Sequence, residues 1–116
     1  MANALLDRSL VEEIRRIERA TGRNDVLSGF VSRLEQTLAG FGAAFTDSVA
    51  RGDTQGAIRA AHTLKGTCRQ LGALALGDLF DEIEGSAKAG DYAAAKRKFD
   101  DGATLIAQSL AALKNA

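Results

Sequence analysis

The chain has no proline and no tryptophan, and its 116 residues include one cysteine, one histidine, five Phe and one Tyr. With proline absent, 22 Ala and 14 Leu favour helix over strand by intrinsic propensity, so an all-α fold is expected. The lone Cys68 excludes an intramolecular disulfide, and no signal-peptide pattern opens the chain at Met1, so a reducing, cytoplasmic setting is expected. Neither sign of charge is in excess. Fifteen basic and fifteen acidic residues give a formal charge of zero, which removes the basic surplus of a nucleic-acid binder. Charges or glycines interrupt every apolar stretch before the ~20 residues that cross a bilayer, so no membrane segment is expected. A single histidine leaves only His62, Cys68 and carboxylates as metal ligands, too few of the right kind for a zinc site, and no protein-encoded metal is expected. Neither a GxSxG nucleophile elbow nor a GxxxxGK[ST] phosphate loop is present. The length excludes an ATP-binding catalytic domain accompanied by a second functional domain.

What is present is enough apolar residue for one core, 46%, with 26% charged residues to solvate its surface. The apolar spacing is helical throughout. Leu6, Leu10, Ile14 and Ile17 mark a first helix to about Ala20, and Ser9 with Glu12 has capping-box spacing. Asp25 is a candidate N-cap for a long second helix carrying Leu27, Val31, Leu34, Leu38, Phe41 and Phe45. Asp53 starts a third, with Ala57, Ala61, Leu64, Cys68 and Leu71 inward and Gly72 as its stop. A fourth runs from about Leu74 to Ala89 over Leu76, Leu79, Phe80 and Ile83. After Gly90 and Asp91, a last helix extends from Tyr92 to about Lys114 with Phe99, Ala103, Ile106, Leu110 and Leu113 inward. Four long helices on short turns predict an antiparallel up-down-up-down four-helix bundle, core residues about 25–114, with the short N-terminal helix as an addition and residues 1–116 forming one domain.

On the third helix, His62 falls at the border of the polar face, with Lys65 at i+3, Gly66 at i+4 and Arg69 at i+7. A neutral imidazole has one nucleophilic ring nitrogen while the other donates a hydrogen bond, and a cation one turn away can balance a phosphoryl oxygen. Gly66 leaves room for another protein to close over the ring. If helices three and four form a hairpin about Ala73, residues 62 and 84 lie at similar height, and Glu84 could accept the imidazole N–H. Glu82 meets the height argument nearly as well, and the plainer alternative for Glu84 is a surface acid paired with Lys88 at i+4.

Ala61-His62-Thr63-Leu64-Lys65-Gly66, followed by Leu71-Gly72-Ala73 and Ile83-Glu84, resembles the signature of histidine-containing phosphotransfer (HPt) domains of two-component phosphorelays. The resemblance implies that His62 is the phosphorylated residue, Lys65 its supporting cation and Gly66 the clearance position, and it favours Glu84 over Glu82. It further implies a phosphocarrier rather than an ATP-dependent kinase, which takes a phosphoryl group from one receiver-domain aspartate and gives it to another. Expected partners are response-regulator receiver domains and a hybrid histidine kinase; Mg²⁺ belongs to the receiver, and a monomer with no nucleic acid or membrane partner is expected. Ile58, Arg59, Arg69 and Gln70 are candidate docking residues. Val26 and Phe30 also depart from the inward stripe of the second helix; contact with the partner is one explanation, and covering by the first helix is the plainer one. The alternatives are a helical adaptor that carries no phosphate, or the detached substrate domain of a histidine kinase.

Overall fold

Aspartates and glycines set most helix ends. The computed structural model describes residues 5–116, and these form six helices: α1 (Arg8–Thr21), α2 (Val26–Ala50), α3 (Thr54–Gln70), α4 (Leu74–Lys88), α5 (Tyr92–Asp101) and α6 (Ala103–Lys114). Asp53 and Asp91 cap α3 and α5 as expected, accepting from the N–H of Gly56 at 2.9 Å and of Ala94 at 3.0 Å. None of the six is long and apolar enough to cross a membrane.

Two starts differ from the expectation. Asp7, not Ser9, caps α1, its carboxylate accepting from both the amide and the hydroxyl of Ser9. Asp25 precedes α2 but gives no side-chain cap, because its carboxylate is engaged by Arg23. The cap comes from another helix: buried Glu18 of α1 accepts from the N–H groups of Val26 and Leu27 at 3.0 and 3.1 Å. Arg15 pairs with Glu18 at 2.7 Å and donates to the carbonyl of Ala116, so one carboxylate ties α1 to the start of α2 and the end of the chain. The Arg15 bond, helped by the two amides, holds the Glu18 carboxyl below its ordinary range against the opposing effect of burial.

The scarce aromatics are concentrated. Phe41 meets Phe45 of its own helix, Phe80 of α4 and Phe99 of α5 at centroid distances of 5.6, 5.3 and 4.8 Å, the Phe80 pair edge to face. Around this cluster α3 packs between α2 and α4, and α2 and α4 both pack against α5 and α6. The α2 stripe is buried at all six expected positions. The last helix is not continuous. It breaks at Gly102, where Leu79 of α4 presses on the bare backbone: a Cβ there would stand 2.6 Å from Leu79 Cδ2. Ala103, expected inward, is exposed after the break, whereas Leu113 is buried. Leu10 and Ile17 of α1 are exposed too, because α1 turns Val11 and Glu18 toward the core instead.

The turn between α3 and α4 is clamped from outside. Leu6 bridges Ala73, the Asp7 amide donates to the Gly72 carbonyl at 2.6 Å, and the Leu74 amide donates to that of Leu5 at 3.0 Å. Gly72 has φ +80°, and an added Cβ would stand 2.8 Å from the Asp7 carbonyl oxygen. Gly72→Ala is expected to lower stability by roughly 1–2 kcal/mol from the left-handed backbone alone, and further from that contact, as read by urea unfolding.

Candidate functional site

The α3–α4 seam carries a row of ion pairs. Along it Arg69 pairs with Asp78 at 3.6 Å, Lys65 with Asp81 at 3.3 Å and His62 with Glu84 at 2.9 Å. Partner numbers fall on α4 as they rise on α3, so the two helices run antiparallel. On α3, Ala57 and Ala61 are fully buried.

Glu84 is the centre of this arrangement. Its side chain is 4% exposed, beside a His62 side chain that is 65% exposed. Oε2 takes the imidazole Nδ1 at 2.9 Å and Lys88 Nζ at 3.2 Å, while Oε1 takes Lys65 Nζ at 2.5 Å. Burial alone would push the Glu84 carboxyl up; the hydrogen bonds from Lys65, Lys88 and His62 outweigh it and bring it down to about 2. The same contact with Glu84, against some desolvation and with help from Asp81, lifts Lys65 above its ordinary value. Both groups are ionised at neutral pH.

An ionised carboxylate only accepts hydrogen bonds. The pairing therefore requires the proton of a neutral His62 ring to sit on Nδ1, which leaves the Nε2 lone pair free on an exposed ring. One turn on, Gly66 offers no side chain, and a Cβ there would meet nothing within 4 Å. Packing does not require this glycine, unlike Gly42, Gly77 and Gly102, each of which admits a side chain from a neighbouring helix.

Glu82 is exposed and stands outside this network. The alternative that pairs Glu84 with Lys88 is present together with the His62 contact, on a carboxylate that is buried rather than on the surface. The candidate docking residues divide between the two sides of α3. Ile58, one turn before His62, is half-buried against the core. Arg69 lies across the bare backbone of Gly77 toward Asp78 on α4. Arg59 and Gln70 line the other side, an apolar groove between α2 and α3 floored by Leu64 and flanked by Thr37 and Thr63. Phe30 stands at the Gln70 end of that groove, 38% exposed beside Ile14, with the Arg33 guanidinium 5.3 Å from its ring centroid. Covering by α1 is thus incomplete. Sequence reasoning missed Asp81, whose only signal is the hairpin register that also pairs residues 62 and 84.

Cys68 is buried in α3, and burial pushes its thiol up to about 12, so it supplies no thiolate at neutral pH. Among the described residues no group of three His, Cys, Asp or Glu could hold a metal ion.

A family model described as the Hpt domain matches residues 25–116, which spans α2 to α6 and leaves α1 outside. Comparison with curated proteins and with solved structures returns no match.

The network has a pH signature. A carboxyl lowered from 4.5 to about 2 contributes stability that is complete above pH 4.5 and is lost as the pH falls toward 2. Glu84→Gln is therefore expected to be less stable than the wild type in urea at pH 7, with the gap closing between pH 4.5 and 2. The same variant tests the tautomer, since ¹⁵N spectra of neutral His62 should show the proton on Nδ1 in the wild type and a mixture in Glu84→Gln.

Proposed function

The chain belongs to the Hpt domain family, whose members carry phosphoryl groups in two-component signalling, and we propose that His62 is its phosphoacceptor. In this reading His62 takes a phosphoryl group from the aspartyl phosphate of one receiver domain and passes it to the aspartate of another. The observation that carries it is the bond from His62 Nδ1 to the ionised Glu84, which leaves Nε2 as the free nucleophile on an exposed ring.

The Nε2 lone pair forms the N–P bond as the P–O bond of the aspartyl phosphate breaks, and the donor carboxylate departs with the electron pair. Nδ1 keeps its proton, so the ring becomes cationic and faces the Glu84 carboxylate. Glu84 thereby contributes twice, fixing the tautomer before transfer and stabilising the charged ring after it. Lys65 holds Glu84 and stands one turn from the ring, where it can balance the phosphoryl oxygens. Return transfer is the same step reversed. The receiver supplies Mg²⁺ and the remaining catalytic groups.

Docking uses the α2–α3 groove, with Phe30, Arg59 and Gln70 at its margins and the bare turn at Gly66 admitting the partner's active site. Ile58 flanks the ring on the other side. The four bundle members of this reading are α2, α3, α4 and the interrupted α5–α6 pair, in up-down-up-down order.

His62→Gln should keep the helical fold and take up no acid-labile, base-stable phosphate from a phosphorylated receiver with Mg²⁺, whereas the wild type labels stoichiometrically. Undiminished labelling of the variant would place the phosphate elsewhere, and an unlabelled wild type would favour the adaptor. Gly66→Leu separates chemistry from access. The variant should gain about 1 kcal/mol of stability from helix propensity and lose transfer from the receiver, while labelling by the small donor phosphoramidate persists.

A further inference from the structure

Lys65 faces two carboxylates, and the two are held very differently. Glu84 is nearly buried and is also fixed by His62 and Lys88, so its contact with Lys65 at 2.5 Å belongs to a closed network. Asp81 is 57% exposed, and its Oδ1 stands 3.3 Å from the same ammonium. An ammonium has three N–H donors. One is directed at Glu84 and a second at Asp81, on a side chain that is itself only 17% exposed. A phosphoryl group arriving at Nε2 thus meets a cation already shared between two anions. Of these, the exposed Asp81 is the one that can yield.

Resting on the reading of His62 as phosphoacceptor, we propose that Asp81 is a positioning residue that holds Lys65 back from the phosphoryl group, and so slows the phosphorylation of His62. Glu84 and Asp81 then act in opposite senses through one lysine. Glu84 secures the ring and the lysine together, and Asp81 draws the lysine along the seam toward the next turn of α4. The nearby charges bearing on this pair are Arg69, engaged by Asp78 one turn further along, and Lys88, engaged by Glu84 on the far side of the ring. Neither contacts Asp81 in place of Lys65. Because Asp81 is exposed and Lys65 keeps its contact with Glu84, the pairing of Lys65 with Asp81 adds little to stability, so its removal should change reactivity without melting the helices.

The test uses phosphoramidate, which labels histidine without a docking partner. Its P–N bond breaks as the bond from Nε2 to phosphorus forms; ammonia leaves with the electron pair, and Nδ1 retains its proton. Rates are read by ³¹P NMR on the full chain. Asp81→Asn should label about two- to five-fold faster than the wild type, the range set by an ion pair whose carboxylate is exposed, with an unchanged melting temperature. Asp81→Glu, which restores the carboxylate, should return toward the wild-type rate. Lys65→Met should label more slowly, and Asp81→Asn added to Lys65→Met should give no further gain. An equal gain with and without Lys65 would overturn the holding role, leaving only the field of the carboxylate. No gain from Asp81→Asn in the presence of Lys65 would overturn it outright. A wild type labelled by neither phosphoramidate nor a phosphorylated receiver would instead overturn the reading of His62, and this inference with it.

Discussion

A carboxylate taken out of water has to be compensated or it gives up its charge. Glu84 is compensated on every side, by an imidazole, a half-buried ammonium and an exposed one. That requirement organises the α3–α4 seam. The two helices must stand in the register that brings residue 84 to residue 62, Lys65 must point along the seam rather than into water, and the imidazole must present Nδ1 inward. Each of these is a precondition for an exposed Nε2 that makes no contact with Glu84.

The remainder of the fold serves that register. Phe41 gathers Phe80 and Phe99 around itself and so fixes α4 against α2 and α5, while bare backbone at Gly77 and Gly102 lets side chains of neighbouring helices come in close. At the hairpin end, the segment before α1 is paired with the turn through Leu6 and Ala73. A slip of one residue along the seam would have to break that pairing and repack the rings. The His62 ring itself stands exposed at the surface, held through Nδ1 by Glu84.

Glu18 uses the same physical device for a structural end. It too is a buried carboxylate shared between elements, but its donors are an arginine and two backbone amides, and no titratable ring is among them. The comparison separates what is general from what is particular. Buried carboxylates join helices in both places; at Glu84 one of the donors has a second nitrogen open to solvent.

Local patterns in the chain were sufficient for the helices and most of their ends. Apolar spacing marks α2, α3 and α4 with the correct buried faces, and Asp53 and Asp91 cap what they precede, because periodicity and capping are properties of a few consecutive residues. The motif around His62 was legible for the same reason, as Lys65 and Gly66 lie within the following turn. Glu84 was reachable by assuming a hairpin, but counting from Ala73 does not choose between it and Glu82; only the resemblance carried by Ile83-Glu84 favoured Glu84. Tertiary packing decides that one flank of Ile83 is buried and the other solvated. It also decides that Glu18 rather than Asp25 caps α2, that the last helix breaks at Gly102 beside Leu79, that Arg69 leans toward α4 while Arg59 and Gln70 face α2, and that Asp81 shares the lysine. All of these depend on groups brought together from different helices, and a one-dimensional pattern records the face a residue occupies but not the partner that face will meet.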